Sequence, residues 1–450
     1  MFTKVIVDNH DDIWDQLTGD VVPPSIEYTN DALPGTSQGV YLSGDVVPPS
    51  ITFIDDSWTG SSQLSFIPLS NDVKNRLASN AQTATIQVTY HNYPSAAQAA
   101  FDYAAKIWSS ILVSTVPITI DAYWQSLAPG VLGQAGPNDF FEWSSSQPAG
   151  AQSNTWYTVA LANQLTGYDL APTTTDMEST LSSNINWYFG TDGNTPANQY
   201  DFVSVALHEI LHGLGNIGLA NYDTATGQGS WGFGTGYPAI YDRYVENGWG
   251  QRILNTSLFP NPSVALGNQL TSNNLFFNGP NAVAGNNGVR PKLYAPSSWR
   301  QGSSYAHLDE YTYPRGDPNS LDTPAFGNGE SIHDAGSIIR GILNDEGWKL
   351  ATRRASRDFN SDGQDDILLA NPAQGWGAIW TMNGTSVTGG VALPYAYGAV
   401  PTGSGDFNSD GEPDILLANP SGGWGAIWTM NGTSVTGGIA LPYAYGAVPV

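Results

Sequence analysis

Apolar residues recur at helical spacing in three stretches and alternate or break up elsewhere. Within residues 94–112, Ala97, Ala100, Phe101, Ala104, Ile107, Trp108 and Ile111 form one face, with Ser95 as cap or Pro94 as first-turn residue. Within 200–215, Val203, Leu207, Leu211 and Leu214 form a second stripe. Asp201 is placed to cap its start, and Gly213 and Gly215 to stop it. The third helix opens at Asp334, turns Ile338, Ile339, Ile342 and Leu343 inward, and ends at Gly347. Alternation predicts strands at 85–90 and 116–122 and a shorter one at 185–189. Strand, helix and strand thus precede the second helix, an order that predicts an α+β sheet domain with that helix beneath the sheet. Residues 130–198 read as loops and short strands. Residues 216–300 read as a long polar insertion carrying Tyr241, Asp242, Arg243, Tyr244 and Val245, of a length that predicts contacts with a substrate.

Two repeats divide the chain. Gly-Asp-Val-Val-Pro-Pro-Ser-Ile starts at Gly19 and again at Gly44, a spacing of 25 residues (44 − 19), and each copy leads into a short alternating segment. Residues 1–80 are therefore read as a β-rich N-terminal extension or propeptide-like region. A longer unit begins at Asp358 and returns at Asp406, a spacing of 48 residues (406 − 358). Inside it, Trp376, Ala378 and Trp380 alternate as a strand, and Asn383-Gly384 marks a hairpin turn. A basic cluster at 349–357 reads as a linker. The expected domains are 1–80, a catalytic domain at 81–348, the linker, and two β repeats at 358–450. The second repeat stops at Val450 where the first runs on, which predicts that the natural protein continues.

The 450 residues carry a net charge of −25 and a pI near 4.2. Such acidity argues against nucleic acid and anionic membranes as partners. It suits calcium loading, and solubility alone accounts for it equally well. No apolar run is long enough to span a bilayer, which predicts no membrane insertion. The start lacks the apolar segment of a signal peptide, so export takes another route or the numbering begins inside a longer precursor. With Cys 0, any zinc must be held by imidazole, carboxylate or water.

The second helix contains His208-Glu209-x-x-His212. Four residues is close to one turn, so both imidazoles share a face and can share a metal, with Glu209 as general base. Catalytic zinc needs a third protein ligand. The candidates are His307, His333, His10, His91 and any carboxylate; His10 and His91 are read as ordinary residues. The compact arrangement, with a ligand six residues past His212, is broken by Gly218. Residues 208–215 resemble the metal helix of leishmanolysin-type metalloproteases, in which the third His lies far downstream and precedes a Met-bearing turn. Ala306-His307-Leu308-Asp309 and Leu321-Asp322-Thr323-Pro324 are similar to those two segments. The resemblance covers roughly residues 85–348. It implies a metzincin-like zincin catalytic domain with zinc on His208, His212 and His307, Glu209 as base, and His333 as the main rival ligand. It departs at Asp322, which stands where the turn methionine belongs. Tyr305, Tyr311 and Tyr313 are candidate donors to an oxyanion.

In each C-terminal repeat, oxygen-bearing residues stand at positions one, three, five and nine: Asp358, Asn360, Asp362 and Asp366, then Asp406, Asn408, Asp410 and Asp414. A glycine after the third permits a sharp turn. The Glu of an EF-hand at position twelve is replaced by Leu369. These loops are similar to the Ca2+ loops of FG-GAP or VCBS-type repeats, which implies propeller-blade-like β modules; Asx-rich turns without metal are the alternative. The combined expectation is a secreted or cell-surface Zn2+-dependent endopeptidase acting on protein or peptide substrates, with a calcium-stabilised β module. A catalytically inactive surface or adhesion protein is the alternative, and a metal-dependent hydrolase of other substrates a third reading.

Overall fold

The computed structural model describes residues 64–78, 80–144, 146–351, 357–360, 365–408 and 412–441, and the backbone alone at 2–5, 27–29, 39–43 and 51–55. Both Gly-Asp-Val-Val-Pro-Pro-Ser copies lie outside these. Residues 1–68 with 83–350 form one unit, and 69–82 with 351–450 a second.

The first unit is mixed α/β, built on a six-stranded sheet. Its strands are β1 (Ile51–Asp55), β2 (Ile86–His91), β3 (Ile118–Gln125), β4 (Val131–Pro137), β5 (Met177–Ser182) and β6 (Ala325–Phe326), in the order β6-β1-β4-β5-β3-β2. β2, β3 and β5 run parallel, β4 is antiparallel to both β5 and β1, and β6 is parallel to β1. Parallel neighbours need a crossover, which helix α1 (Ser95–Ile111) supplies between β2 and β3. Described N-terminal strands pair with strands from later in the chain. β1 fills the place between β4 and β6, and Gly39–Ser43 pairs with Asp139–Trp143. Alternation shows that a segment can be a strand but not which strand it pairs with.

All seven face positions of α1 are buried, with Pro94 at its N-cap and no side-chain cap bond. Trp108 Nε1 donates to the Leu207 carbonyl at 3.0 Å, tying α1 to helix α2 (Phe202–Leu214). α2 also packs on β4 and β5 and is buried on every side, not only along its apolar stripe. Gly213 does not stop it. A Cβ there would lie 2.3 Å from Met177 Sδ, so this glycine lets the helix approach β5. The stop is Gly215, at φ 135°, and the Leu214 carbonyl accepts from Thr158 Oγ1 and Trp348 Nε1 at 3.1 and 2.9 Å.

At the other end, Asp201 Oδ1 accepts from the Ser204 N–H and hydroxyl at 2.8 and 2.6 Å, and Oδ2 from Thr195 Oγ1 at 3.0 Å. His333 Nε2 lies 3.0 Å from Oδ1. Asp201→Ala therefore removes a cap and leaves buried donors unpaired. It is expected to lower stability by about 1–3 kcal/mol, read as a shift in the denaturation midpoint.

Three sequence expectations change. The last helix, α3, spans Gly336–Glu346, and Asp334 bonds the Gly336 N–H from two residues before its start. The strand at 185–189 shrinks to Trp187–Tyr188. The insertion at 216–300 holds two helices, Val264–Leu270 and Pro280–Gly285, and a three-stranded sheet (Val245–Asn247, Leu275–Phe277, Lys292–Leu293). Its Asp242 is fully buried and accepts from the Leu219 and Ala239 N–H groups and the Tyr305 hydroxyl at 3.1, 2.8 and 2.8 Å. That residue organises the interior instead of presenting itself to a substrate.

The second unit carries an antiparallel three-stranded sheet (Ile367–Asn371, Trp376–Asn383, Ser386–Ala392) and a four-stranded one (Val400–Gly405, Asp414–Asn419, Trp424–Asn431, Ser434–Ala440). Asn383 pairs with Ser386 across a tight turn in which Gly384 takes φ 58°. Phe359, Ile379, Ile415, Leu417 and Met430 form its core. Among the described residues no helix is long and apolar enough to cross a membrane.

Candidate metal centre

α2 presents His208 and His212 one turn apart, and the segment after Ser303 brings His307 against them. His208 Nε2 lies 2.9 Å from His212 Nε2 and 3.2 Å from His307 Nε2. Every Nδ1 faces a backbone carbonyl instead: Leu321 for His208 at 2.6 Å, Asn216 for His212 at 2.9 Å and Ser303 for His307 at 2.8 Å. A carbonyl only accepts, so each Nδ1 carries the ring proton and each Nε2 presents a lone pair. Burial holds the rings neutral, pushing His208 and His307 well below the usual imidazole range and His212 down to about 4. Lone pairs at 2.9 and 3.2 Å therefore face one another with no proton between them. A cation placed between them would relieve that repulsion; tetrahedral nitrogens at 2.0–2.1 Å from a zinc ion stand about 3.4 Å apart.

A carboxylate oxygen of Asp322 joins this group, its ligating atom and those of the three imidazoles all lying within 4.8 Å of one another. Asp322 Oδ1 accepts from Asn216 Nδ2 at 2.8 Å, and Oδ2 is buried without a partner. Burial pushes its carboxyl well above the carboxylate range. Behind it, Glu346 is buried with both oxygens unpartnered and is pushed up by burial first and then by Asp322.

Glu209, next to His208 in sequence, is fully buried, and neither of its oxygens has a partner. Burial raises its carboxyl well above the usual range; a dication in the imidazole cluster would act in the opposite direction. Two neighbours escaped the sequence reading. A Cβ at Gly133 on β4 would lie 2.4 Å from Glu209 Oε1, so only glycine leaves room for that carboxylate. A glycine inside a strand, here one of two in β4, was the available signal. The buried, unpartnered Tyr93 hydroxyl is pushed up by burial and then by the charge of Glu209, and nothing local in the sequence marks it.

The other candidates lie elsewhere. His333 holds the α2 cap and meets Phe66 edge-on. His91 bonds Asp121 at 2.8 Å and stacks on Tyr123. His10 lies outside the described residues. Gly218 offers no ligand atom from a side chain, and a Cβ there would strike the Tyr305 ring. Tyr305 and Tyr313 direct their hydroxyls to Asp242 and Asn286, and Tyr311 is exposed.

In the second unit the described residues of the two acidic loops repeat one set of hydrogen bonds. Asp366 Oδ2 accepts from the Phe359 and Asn360 N–H groups at 2.8 and 3.1 Å, and Oδ1 from Met382 N–H at 2.9 Å. Asp414 makes the same three bonds, to Phe407, Asn408 and Met430, at 2.9, 3.2 and 3.0 Å. Position nine thus closes the loop and pins the neighbouring strand, a role that needs no ion. Asp358, Asn360, Asp406 and Asn408 lie at the loop entrances; Asp362 and Asp410 lie outside the described residues. Residues 358–417 match the model of an FG-GAP-like repeat. In the FG-GAP-like unit, Asp366→Ala is expected to cost about 1–3 kcal/mol, because two buried N–H donors and one part-buried donor lose their acceptor. The loss should be as large in chelator as in calcium, read by denaturant unfolding of the full chain.

Residues 57–221, which include α2, match an SPBPB7E8-like family model, a name that carries no chemistry. Searches of curated proteins and of solved structures return no match.

Proposed function

We propose that the chain is a secreted zinc-dependent endopeptidase, with a metzincin-like catalytic domain similar to leishmanolysin-type enzymes. The observation that supports it is the convergence of three Nε2 lone pairs, fixed by three carbonyl-bound Nδ1 protons, with a buried, unpartnered carboxylate, Glu209, next in sequence to one of the three rings. His208, His212 and His307 would hold the ion; neutral imidazoles leave its charge largely undiminished. Zinc so held supplies Lewis-acid polarisation of a carbonyl and acidifies water to near neutral pH.

Glu209 follows a ligand directly in sequence and would take the proton of the attacking water and deliver it to the leaving amine. Its burial next to Gly133 excludes bulk water from that transfer. The buried Tyr93 hydroxyl, without a partner and within electrostatic reach of Glu209, is a donor candidate for a developing oxyanion. Calcium at the paired Asp and Asn loops completes the reading, and an acidic, cysteine-free chain accords with export. Hydrolysis of unfolded casein, abolished by a zinc chelator and restored by zinc, tests it; zinc-replete protein with no hydrolysis of any peptide would contradict it. The FG-GAP-like repeat favours one second reading, an inactive surface or adhesion protein, which that same absence of hydrolysis would support.

A further inference from the structure

The floor of the imidazole cluster is a turn, Ser320–Asp322, locked on both sides. Leu321 offers its carbonyl to His208 Nδ1, and Asp322 offers its own to the Leu308 N–H at 2.8 Å, next to His307. The Asp322 side chain is fully buried, one oxygen held by Asn216 and the other without a partner. No Lys or Arg bonds it among the described residues, although burying a carboxylate is costly unless it is paired or coordinates a metal. An apolar residue would fill this position at far lower cost.

We propose that Asp322 is a fourth metal ligand, making the centre a site of three imidazoles and one carboxylate, in which the attacking water would enter as a fifth ligand. The proposal rests on reading His208, His212 and His307 as metal ligands. It follows from the 4.8 Å grouping of all four ligating atoms and from the unpartnered oxygen inside a closed floor. It also balances charge. Three neutral imidazoles leave a dication's charge intact, and the buried Asp322 carboxylate would offset part of it. A hard oxygen ligand beneath three nitrogens widens the metals that the centre accepts beyond zinc, toward manganese and iron.

The test uses the full chain. Zinc affinity is measured by competition with a chromophoric chelator for wild type and Asp322→Asn, and the cobalt(II) absorption of both is recorded. The variant is expected to bind zinc at least about 10-fold more weakly, the lower end of what losing even an outer partner costs. Its cobalt bands should move and change intensity as a ligand is lost. An unchanged cobalt spectrum overturns the assignment, whatever the affinity. If the variant does not fold, zinc-loaded wild type decides: an Asp322 oxygen belongs about 2.0–2.2 Å from the ion, and one beyond about 3 Å overturns the proposal. Wild type that takes up neither zinc nor cobalt overturns the metal-site reading itself.

Discussion

Glu209→Gln is expected to leave zinc binding intact and to lower peptide hydrolysis by about 10²–10⁴-fold, the usual contribution of a positioned general base. The amide keeps the shape of the carboxylate against Gly133, where a Cβ would come within 2.4 Å of Oε1, so the helix and its imidazoles keep their places. What is lost is the capacity to accept a proton. The loss should therefore fall on kcat, with zinc stoichiometry unchanged. Near-normal turnover in a folded, zinc-loaded variant would remove Glu209 from the reaction. The native carboxylate has no hydrogen-bonding role to lose, since both oxygens are unpartnered, and so a purely structural effect of the substitution should be small.

His307→Ala and His333→Ala should separate completely. His307 presents Nε2 3.2 Å from that of His208 and spends Nδ1 on the Ser303 carbonyl, so its loss opens the coordination shell. Zinc affinity is expected to fall by more than about 100-fold, beyond the cost of losing an outer partner. His333 lies instead against Asp201 at the start of α2. Its replacement should leave zinc affinity within about threefold and lower stability by about 1–2 kcal/mol through the cap. Equilibrium dialysis and denaturant unfolding on both variants check this. The reverse pattern, metal lost with His333 and kept with His307, would exchange the two assignments.

The local parts of this molecule could be read from the chain, and the parts made by distant contacts could not. His208, Glu209 and His212 are placed by helical spacing alone, and Asp201 caps that helix through bonds to its own neighbour Ser204. His307 is another matter: 99 residues separate it from His208, and only the resemblance of short segments linked them. Gly133 and Tyr93 reach Glu209 through the pairing of β4 and the packing of the sheet on α2, which no local pattern encodes. The same holds for β1, whose alternation predicts a strand but not its position between β4 and β6. The insertion at 216–300 read as polar loop because its order comes from buried polar groups such as Asp242 and the Arg290–Glu246 pair, not from apolar periodicity. In the FG-GAP-like unit the acidic spacing was plain, yet the load on Asp366 and Asp414 was not. Their acceptors serve backbone donors up to 16 residues away.

Anomalous diffraction at the zinc absorption edge, on crystals of zinc-replete full-length chain, bears most directly on all of this. A single strong peak is expected about 2.0–2.1 Å from the Nε2 atoms of His208, His212 and His307. No peak there, or one held by other side chains with His307 turned away, would contradict the account.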